Sequence, residues 1–196
     1  LEKGSEHWML GAGWHREEDL SGNHYLVGRG AGSATLDSSV PWQDHRLILR
    51  LQLLAGALQL HLRQSPSASY TLTLGETQII LTRRDASGVH ELAEAAIAPL
   101  SAGWHTLSVT LYEDHVMVTI DQTPCLDYLD LGLVGAGQLA LQTDDGSVAY
   151  VDDIWITGVR PLPETPPAVE RIRVQGVDGR GEAAIIGAAG AVPAGA

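Results

Sequence analysis

Residues 45–63 alternate between apolar and polar side chains along two consecutive segments. In RLILRLQLL every second residue is a leucine, and ALQLHLR repeats the arrangement. A period of two places one face of a strand on an apolar core and the other face toward water. The short break at Ala55-Gly56 between the two segments predicts that they form a hairpin.

The same alternation recurs through most of the chain. YTLTL and TQIILTR predict a second hairpin, and WHTLSVTLYEDHVMVTID predicts a third that turns near Glu113-Asp114. Further strands are predicted at HYLVGRG, GQLALQT and VAYVDDIWITG. ELAEAAIA contains good helix formers, but Pro99 ends the segment, and a strand or loop is favoured. Many short strands at this spacing predict an all-β fold of two antiparallel sheets over residues 1–158.

The pattern changes after Gly158. Residues 159–168 are rich in proline and predict an extended linker. Residues 169–196 form a C-terminal extension in which ERIRVQGVDGR alternates weakly before a small, apolar end. Such an extension is able to add a strand to the sheet of a neighbouring subunit, which predicts a homo-oligomer or fibre. The alternative is a plain linker within a multidomain protein.

Composition narrows the classes of partner. The chain has 12 Lys and Arg against 24 Asp and Glu, a net charge of −12, and this acidic surface disfavours nucleic acid as a partner. No stretch has the length and apolar content of a membrane span. The single cysteine, Cys125, excludes an intrachain disulfide and is interpreted as a buried structural thiol. The chain begins LEKGSEHW without an initiator Met or an apolar leader, which indicates a removed leader or an excised segment.

The polar faces of the first two predicted strands supply candidate ligand-binding residues. If the two strands are neighbours, their polar side chains form one surface, made of Arg50, Gln52, Gln59, His61 and Arg63. The alternative is an ordinary solvated sheet face. Since the chain has no phenylalanine, most of the five tryptophans are expected in the core or at its edges, and Trp42 is the best candidate for an exposed ring.

Two adjacent carboxylates interrupt the last predicted strand, SVAYVDDIWITG. In a regular strand Asp152 shares a face with Tyr150, whereas Asp153 shares the opposite face with Val151 and Trp155. One aspartate is therefore expected to face the interior near the edge of the sandwich. A buried carboxylate needs a partner. The candidates are a metal ion, the N–H groups of a loop, or an arginine.

Several stretches carry a resemblance to a known family. They are GAGWH, GNHYLVGRG, WQDHRLILRLQL, LQLHLRQS, SAGWHTLSVTLYEDHVMVTIDQTPCLDYLD and GQLALQTDDGSVAYVDDIWITG. Over residues 1–158 the chain resembles the concanavalin A-like jelly rolls, which include laminin-G-like sandwiches and the 3-keto-disaccharide hydrolase-like domains of bacteria. The resemblance implies a jelly-roll sandwich. It specifies the fold far better than the activity.

The resemblance also implies candidate sites. Sheet faces of this fold often bind sugars, which makes the polar surface and Trp42 candidates for glycan binding. Terminal strands with paired aspartates imply a structural Ca²⁺ ion held by Asp152 or Asp153 together with a residue near the N-terminus, for which Glu2 is the candidate. Glycosidases of this fold carry a Glu-x-Asp-x-x-Glu strand that this sequence lacks. The sequence has neither the HExxH nor the HxH spacing that is typical of a catalytic zinc site.

These observations favour a non-catalytic extracellular or cell-surface module that binds a glycan or cell-surface polysaccharide, or that serves adhesion or assembly. One alternative is a structural subunit of an extracellular filament or sheath assembled through residues 169–196. Another is a hydrolase that acts on glycosides, like the 3-keto-disaccharide hydrolase-like family. The sequence favours a binding protein over an enzyme without deciding between them.

Overall fold

The structure, a computed structural model, describes residues 7–38, 41–100, 103–132 and 134–159, together with the strands at 172–177 and 183–187. The chain divides into two compact units, Leu1–Val159 and Arg160–Ala196. Each unit is described by itself. The described residues contain no helix that is long and apolar enough to cross a membrane.

The first unit contains two seven-stranded sheets in which every neighbouring pair of strands is antiparallel. Sheet A contains, in spatial order, β1 (Trp8–Leu10), β4 (Gly32–Leu36), β13 (Gln138–Thr143), β6 (Leu58–Gln64), β7 (Ser69–Leu74), β8 (Gln78–Asp85) and β9 (Gly88–Ala96). Sheet B contains β12 (Thr123–Leu129), β11 (His115–Ile120), β10 (His105–Tyr112), β5 (His45–Ala55), β14 (Val148–Gly158), β3 (His24–Arg29) and β2 (Trp14–Glu18). The predicted all-β sandwich of two antiparallel sheets is confirmed.

The core lies between the inner faces of the two sheets, and alternation along the strands fills it. The four alternating leucines of β5 are at most 2% exposed and pack with the leucines of β6 and β7 in one cluster. Each buried leucine contributes roughly 1.5–3 kcal/mol relative to an exposed one. The residues between them on β5 are partly or fully exposed. The alternation of apolar and polar side chains therefore gives each sheet an inner and an outer face.

The predicted pairing of residues 45–63 is wrong. β5 pairs with β10 and β14 in sheet B, whereas β6 pairs with β7 and β13 in sheet A. The segment between them is a corner that carries the chain across the sandwich. Gly56 has a φ of +68°, and a Cβ there would clash with Ser147. The hydroxyl of Ser147 also accepts a hydrogen bond from the Ala57 amide at 3.0 Å. This contact fastens the corner to the turn before β14.

The other sequence predictions for strands hold. β7 pairs with β8, and β10 pairs with β11 through a tight turn at Glu113-Asp114. ELAEAAIA lies in β9, the edge strand of sheet A, and is not helical. In the second unit, β15 (Ile172–Val177) pairs antiparallel with β16 (Ala183–Gly187). The weakly alternating segment thus pairs within its own chain, and donation of a strand to another subunit stays a prediction.

Arg63 departs from the predicted polar face because β6 contains a bulge. Its φ is +49°, the register with β13 shifts at this point, and its side chain is 1% exposed. The guanidinium donates to the carbonyl oxygens of Gln43 (2.8 Å), Glu113 (2.9 Å) and Val134 (3.0 Å), and to Asp44 Oδ1 (3.1 Å). Arg63 thereby joins three loops and has a structural role.

Replacing Arg63 by methionine is expected to lower the free energy of unfolding by roughly 3–5 kcal/mol, because Asp44 and three backbone carbonyl groups lose the buried guanidinium as a donor. Denaturant unfolding measures this change. Arg29→Met, at an exposed arginine of β3, is the matched control and should change stability by less than about 0.5 kcal/mol. Equal effects of the two substitutions would contradict the role given to Arg63.

His45, the first residue of β5, is fully buried, and burial lowers its pKa to about 4. Its Nδ1 bonds to the Gln43 carbonyl at 3.1 Å, whereas its Nε2 has no partner among the described residues. The unfolded chain therefore binds a proton below pH 6.5 that the folded protein binds only near pH 4.

We expect His45 to reduce the free energy of unfolding by about 3 kcal/mol as the pH falls from 7 to 4. Urea unfolding at several pH values measures this slope. His45→Gln should flatten the slope, since the variant has no imidazole to protonate, whereas His7→Gln, at an exposed histidine, should leave it unchanged. A slope that is the same in wild type and His45→Gln would rule out this source of acid sensitivity.

Candidate functional site

A cleft of ≈ 270 Å³ opens on the outer face of sheet B. Its floor comes from the adjacent central strands β5 and β14, and its sides come from the β2–β3 loop, β3 and the segment before β10. The lining residues are Asp19, Asn23, Tyr25, Arg50, Gln52, Trp104, Tyr150 and Asp152. The cleft thus combines aromatic rings with amide, guanidinium and carboxylate groups.

Three aromatic rings, from β3, β14 and the segment before β10, meet in the cleft. Tyr25 lies edge-on to Trp104, with ring centroids 6.1 Å apart and an interplanar angle of 80°. Tyr25 also contacts Tyr150 at 5.6 Å with the rings tilted by 51°. The guanidinium carbon of Arg50 lies 5.1 Å from the Trp104 ring centroid, a cation–π contact. Mutual packing fixes these rings before any ligand arrives.

The hydroxyl of Tyr25 is held in its protonated form. Burial and the neighbouring Glu17 carboxylate raise the pKa of Tyr25. The hydroxyl donates to Glu17 Oε2 at 3.3 Å, and His15 Nε2 lies 2.8 Å from the other carboxylate oxygen. The hydrogen bond from His15 lowers the pKa of Glu17. A line of side chains from β2 to β3 therefore orients the Tyr25 ring.

The β2–β3 loop positions Asn23 over the cleft. The Asp19 carboxylate accepts hydrogen bonds from the Ser21 hydroxyl (2.6 Å), the Ser21 amide (2.8 Å) and the Asn23 amide (3.1 Å). These bonds, the Ser21 hydroxyl first, lower the pKa of Asp19 and keep it ionised. The side-chain amide of Asn23 then donates to Asp152 Oδ2 at 2.9 Å. Loop and sheet are thus joined at the cleft edge.

The paired aspartates lie at a bulge in β14. Asp152 is opposite Arg50, but the next partners are Trp155 and Ile48, so β14 has one extra residue and Asp153 adopts a φ of +47°. The expectation of a regular strand is therefore wrong beyond Asp152. Asp152 pairs with Arg50 and Tyr150 pairs with Gln52, so Asp152 and Tyr150 share the outer face of sheet B. The shared face with Tyr150 is as predicted, whereas the expectation that one aspartate faces the interior is not met by Asp152.

Hydrogen bonds and an ion pair occupy both aspartates. Asp152 is 8% exposed, and its Oδ1 accepts the backbone N–H of Asp153 at 2.8 Å. Asp153 is exposed and lies 3.3 Å from Arg50 Nη1. The described residues contain no group of three or more His, Cys, Asp or Glu side chains that could hold a metal ion. Glu2 lies outside the described residues, so the calcium site stays a prediction.

The predicted polar surface is divided between the two sheets. Arg50 and Gln52 line the cleft on sheet B, whereas Gln59 and His61 lie on the outer face of sheet A, because β5 and β6 belong to different sheets. Gln59 donates to Asp144 at 2.7 Å. The two ring nitrogens of His61 bond to Thr71 and Gln142. The prediction that all five residues form a single surface is therefore wrong.

The tryptophans also differ from expectation. Trp42 is half-buried against the core, its backbone bridges to Gly137, and its indole Nε1 is buried, so it is not the exposed ring. Trp14 is buried, as predicted. The exposed ring is Trp155, at 61%, which the bulge in β14 turns outward. Trp104 lines the cleft.

Sequence reasoning missed five residues of the cleft, namely Asp19, Asn23, Tyr25, Trp104 and Tyr150. One of them had a usable signal, because Tyr150 precedes Asp152 by two residues and therefore shares its face. The others come together only through the order of strands in sheet B. That order places the β2–β3 loop and the start of β10 at opposite sides of β5 and β14.

Solved structures with a similar fold include several that act on or bind carbohydrate. The carbohydrate-binding module CBM66 from Bacillus subtilis matches with a TM-score of 0.61 and 14% identity, over 78% of this chain and 96% of that one. A Bacillus subtilis protein of unknown function with a galectin-like fold matches with a TM-score of 0.63 and 12% identity, over 82% and 94%. A glycoside hydrolase family 16 endo-glucanase from Bacteroides ovatus matches with a TM-score of 0.58 and 13% identity, over 78% and 95%.

These likenesses define the class of fold. The first unit is a concanavalin A-like jelly roll, as the sequence resemblance implied. No protein-family model matches the sequence, and a search of curated proteins found no match. At these levels of identity the likeness establishes the fold, and function has to be argued from the cleft itself.

Proposed function

We propose that the first unit is a non-catalytic module that binds a neutral glycan in the cleft on sheet B. The observation that carries the proposal is the combination, in one preformed cleft, of an aromatic wall with planar hydrogen-bonding groups. The aromatic wall is Tyr25, Trp104 and Tyr150, and the planar groups belong to Asn23, Arg50 and Gln52.

The chemistry of a sugar fits this combination. One face of a pyranose ring is lined by C–H groups, which pack on aromatic rings, and its rim carries hydroxyl groups that need donors and acceptors. The side-chain amide of Gln52 offers both, and the guanidinium of Arg50 offers donors only. The ionised carboxylate of Asp19 accepts hydrogen bonds. A volume near the lower end of the usual range for small-molecule pockets suits a short segment of a glycan.

Charge favours a neutral glycan over an acidic one. Arg50 is the single cationic side chain among the cleft residues, and Asp153 is its ion-pair partner. Asp19 and Asp152 also line the cleft, and the whole chain has a net charge of −12. A sulfated or uronate-rich chain would be repelled by this field.

The known proteins of similar fold support the class of ligand. One is a carbohydrate-binding module, another is an endo-glucanase, and a third is the carbohydrate recognition domain of Emp46p, at 13% identity and a TM-score of 0.58. Binding without catalysis is favoured because Asp19 and Asp152 are engaged in hydrogen bonds within the protein. A hydrolase needs one carboxyl group with a raised pKa as general acid. The pKa of Asp19 is lowered instead.

A glycan array followed by calorimetry tests this proposal with a matched pair of glutamines. Gln52→Ala is expected to weaken binding roughly fivefold, since it removes about 1 kcal/mol of hydrogen bonding. Trp104→Ala should weaken it at least tenfold, since the variant loses part of the aromatic wall. Gln59→Ala, at a similar position on the outer face of sheet A, should bind like wild type.

Two outcomes would overturn the proposal. The first is that the wild type binds no glycan on the array. The second is that Gln59→Ala weakens binding while Gln52→Ala does not, which would place the site on sheet A. Thermal unfolding of each variant separates loss of binding from loss of folding. Release of a reducing sugar from a bound ligand would favour the hydrolase instead.

Other expectations from the sequence remain predictions. They are an extracellular or cell-surface location, a role in adhesion, a structural Ca²⁺ ion, and assembly of a homo-oligomer or filament through residues 169–196. Chelation followed by a melting curve tests the ion, because a ligand of the folded state raises its stability. Mass in solution with and without the C-terminal extension tests assembly.

A further inference from the structure

The bulge in β14 changes the direction of Trp155. In a regular strand Trp155 would share the inner face with Val151, which is fully buried in the core. One extra residue between Asp152 and Trp155 reverses the alternation, so Trp155 lies opposite Ile48 on the outer face. Its indole is 61% exposed.

This arrangement carries two costs that folding alone does not explain. Asp153 is a non-glycine residue with a φ of +47°, a conformation that is strained for an L-amino acid. A large aromatic ring is also left mostly in water. Bulges that re-aim a side chain are common beside binding sites.

Trp155 lies next to the cleft on sheet B. Its partner Ile48 precedes the cleft residue Arg50 by two positions on β5, which is roughly 7 Å along the strand. Arg50 also connects the two features, since its guanidinium lies on Trp104 in the cleft and bonds to Asp153 in the bulge at 3.3 Å. The bulge is therefore fastened to the binding cleft.

We propose that Trp155 forms a second sugar-binding subsite, so that the ligand is a neutral chain of at least two sugar units running from the cleft along β5 and β14. This inference rests on the proposed function. The cleft holds one unit between the aromatic wall and Gln52. The next unit along the chain stacks on the exposed indole, about one row of residues away.

The lining of this second position explains why a chain is favoured. Ile48 is half-buried beside Trp155, and Arg46, one row further, donates to the Ser108 hydroxyl at 2.9 Å. The position therefore offers the exposed indole of Trp155, with Ile48 beside it and the Arg46–Ser108 hydrogen bond at its edge. Such a surface binds the C–H face of a sugar weakly by itself, but it gains from a ligand already held in the cleft, because the second contact is then intramolecular.

Calorimetry with ladders of neutral oligosaccharides tests the inference. The probes are cello-, laminari-, xylo- and fructo-oligosaccharides of one to six units. For the series that binds, wild-type affinity is expected to rise about tenfold when the chain extends into the second subsite. Trp155→Ala should remove this gain and leave the affinity for the shortest ligand unchanged. Trp155→Phe should retain part of it.

A matched control uses another exposed apolar residue. Val89→Ala, on edge strand β9 of sheet A, should keep the full dependence on chain length. Because Trp155 is mostly exposed, its replacement is expected to leave thermal unfolding nearly unchanged. A change in oligomeric mass of Trp155→Ala, without a change in oligosaccharide affinity, would identify Trp155 as a protein contact and overturn the inference.

The outcomes separate this inference from the proposed function. If wild type binds no member of any ladder and no glycan on the array, both fail together. If it binds on the array but to no ladder, only the neutral chain and its second subsite fail. If wild type binds but affinity does not depend on chain length, or Trp155→Ala keeps that dependence, only the second subsite fails. If Gln52→Ala lowers affinity for every length while Trp155→Ala affects only the longer chains, both are supported.

Discussion

Burial of every second side chain of β5 is the constraint on which the rest of the first unit depends. β5 is the middle strand of sheet B. Four of its leucines are buried in the core, namely Leu47, Leu49, Leu51 and Leu53. Because the side-chain period of a strand is two, the residues between them must point outward. The polar floor of the cleft is thus a direct consequence of the apolar face that holds the two sheets together.

Two bulges interrupt this alternation, and they act in opposite directions. The bulge at Arg63 turns a charged side chain into the interior, where it joins three loops. The bulge at Asp153 turns an aromatic side chain out of the interior, beside the cleft. Both use a non-glycine residue with positive φ, and in both an arginine–aspartate pair holds the strained segment.

The sequence predicted the strands well because alternation is a local property. Every predicted strand of the first unit is present, and β9 was correctly distinguished from a helix. Strand partners and bulges were not predictable in this way. The Ala55-Gly56 break has the composition of a hairpin turn, but the sheet changes there, and Arg63 and Trp155 lie on the faces opposite to those that a strict period assigns. The partners of a strand and the positions of its bulges depend on pairing with residues that are distant in the sequence.

Preorganisation favours the binding of a flexible, neutral ligand that we propose for this acidic surface. An arginine side chain that is free in water loses freedom of rotation about several bonds when it contacts a ligand. This loss of conformational entropy opposes affinity. Here Arg50 is already held between the Trp104 ring and the Asp153 carboxylate. The same ion pair offsets its charge, so the guanidinium serves as a set of directed hydrogen-bond donors more than as an attractor of anions. The proposed preference for hydroxyl groups over acidic groups rests on that balance.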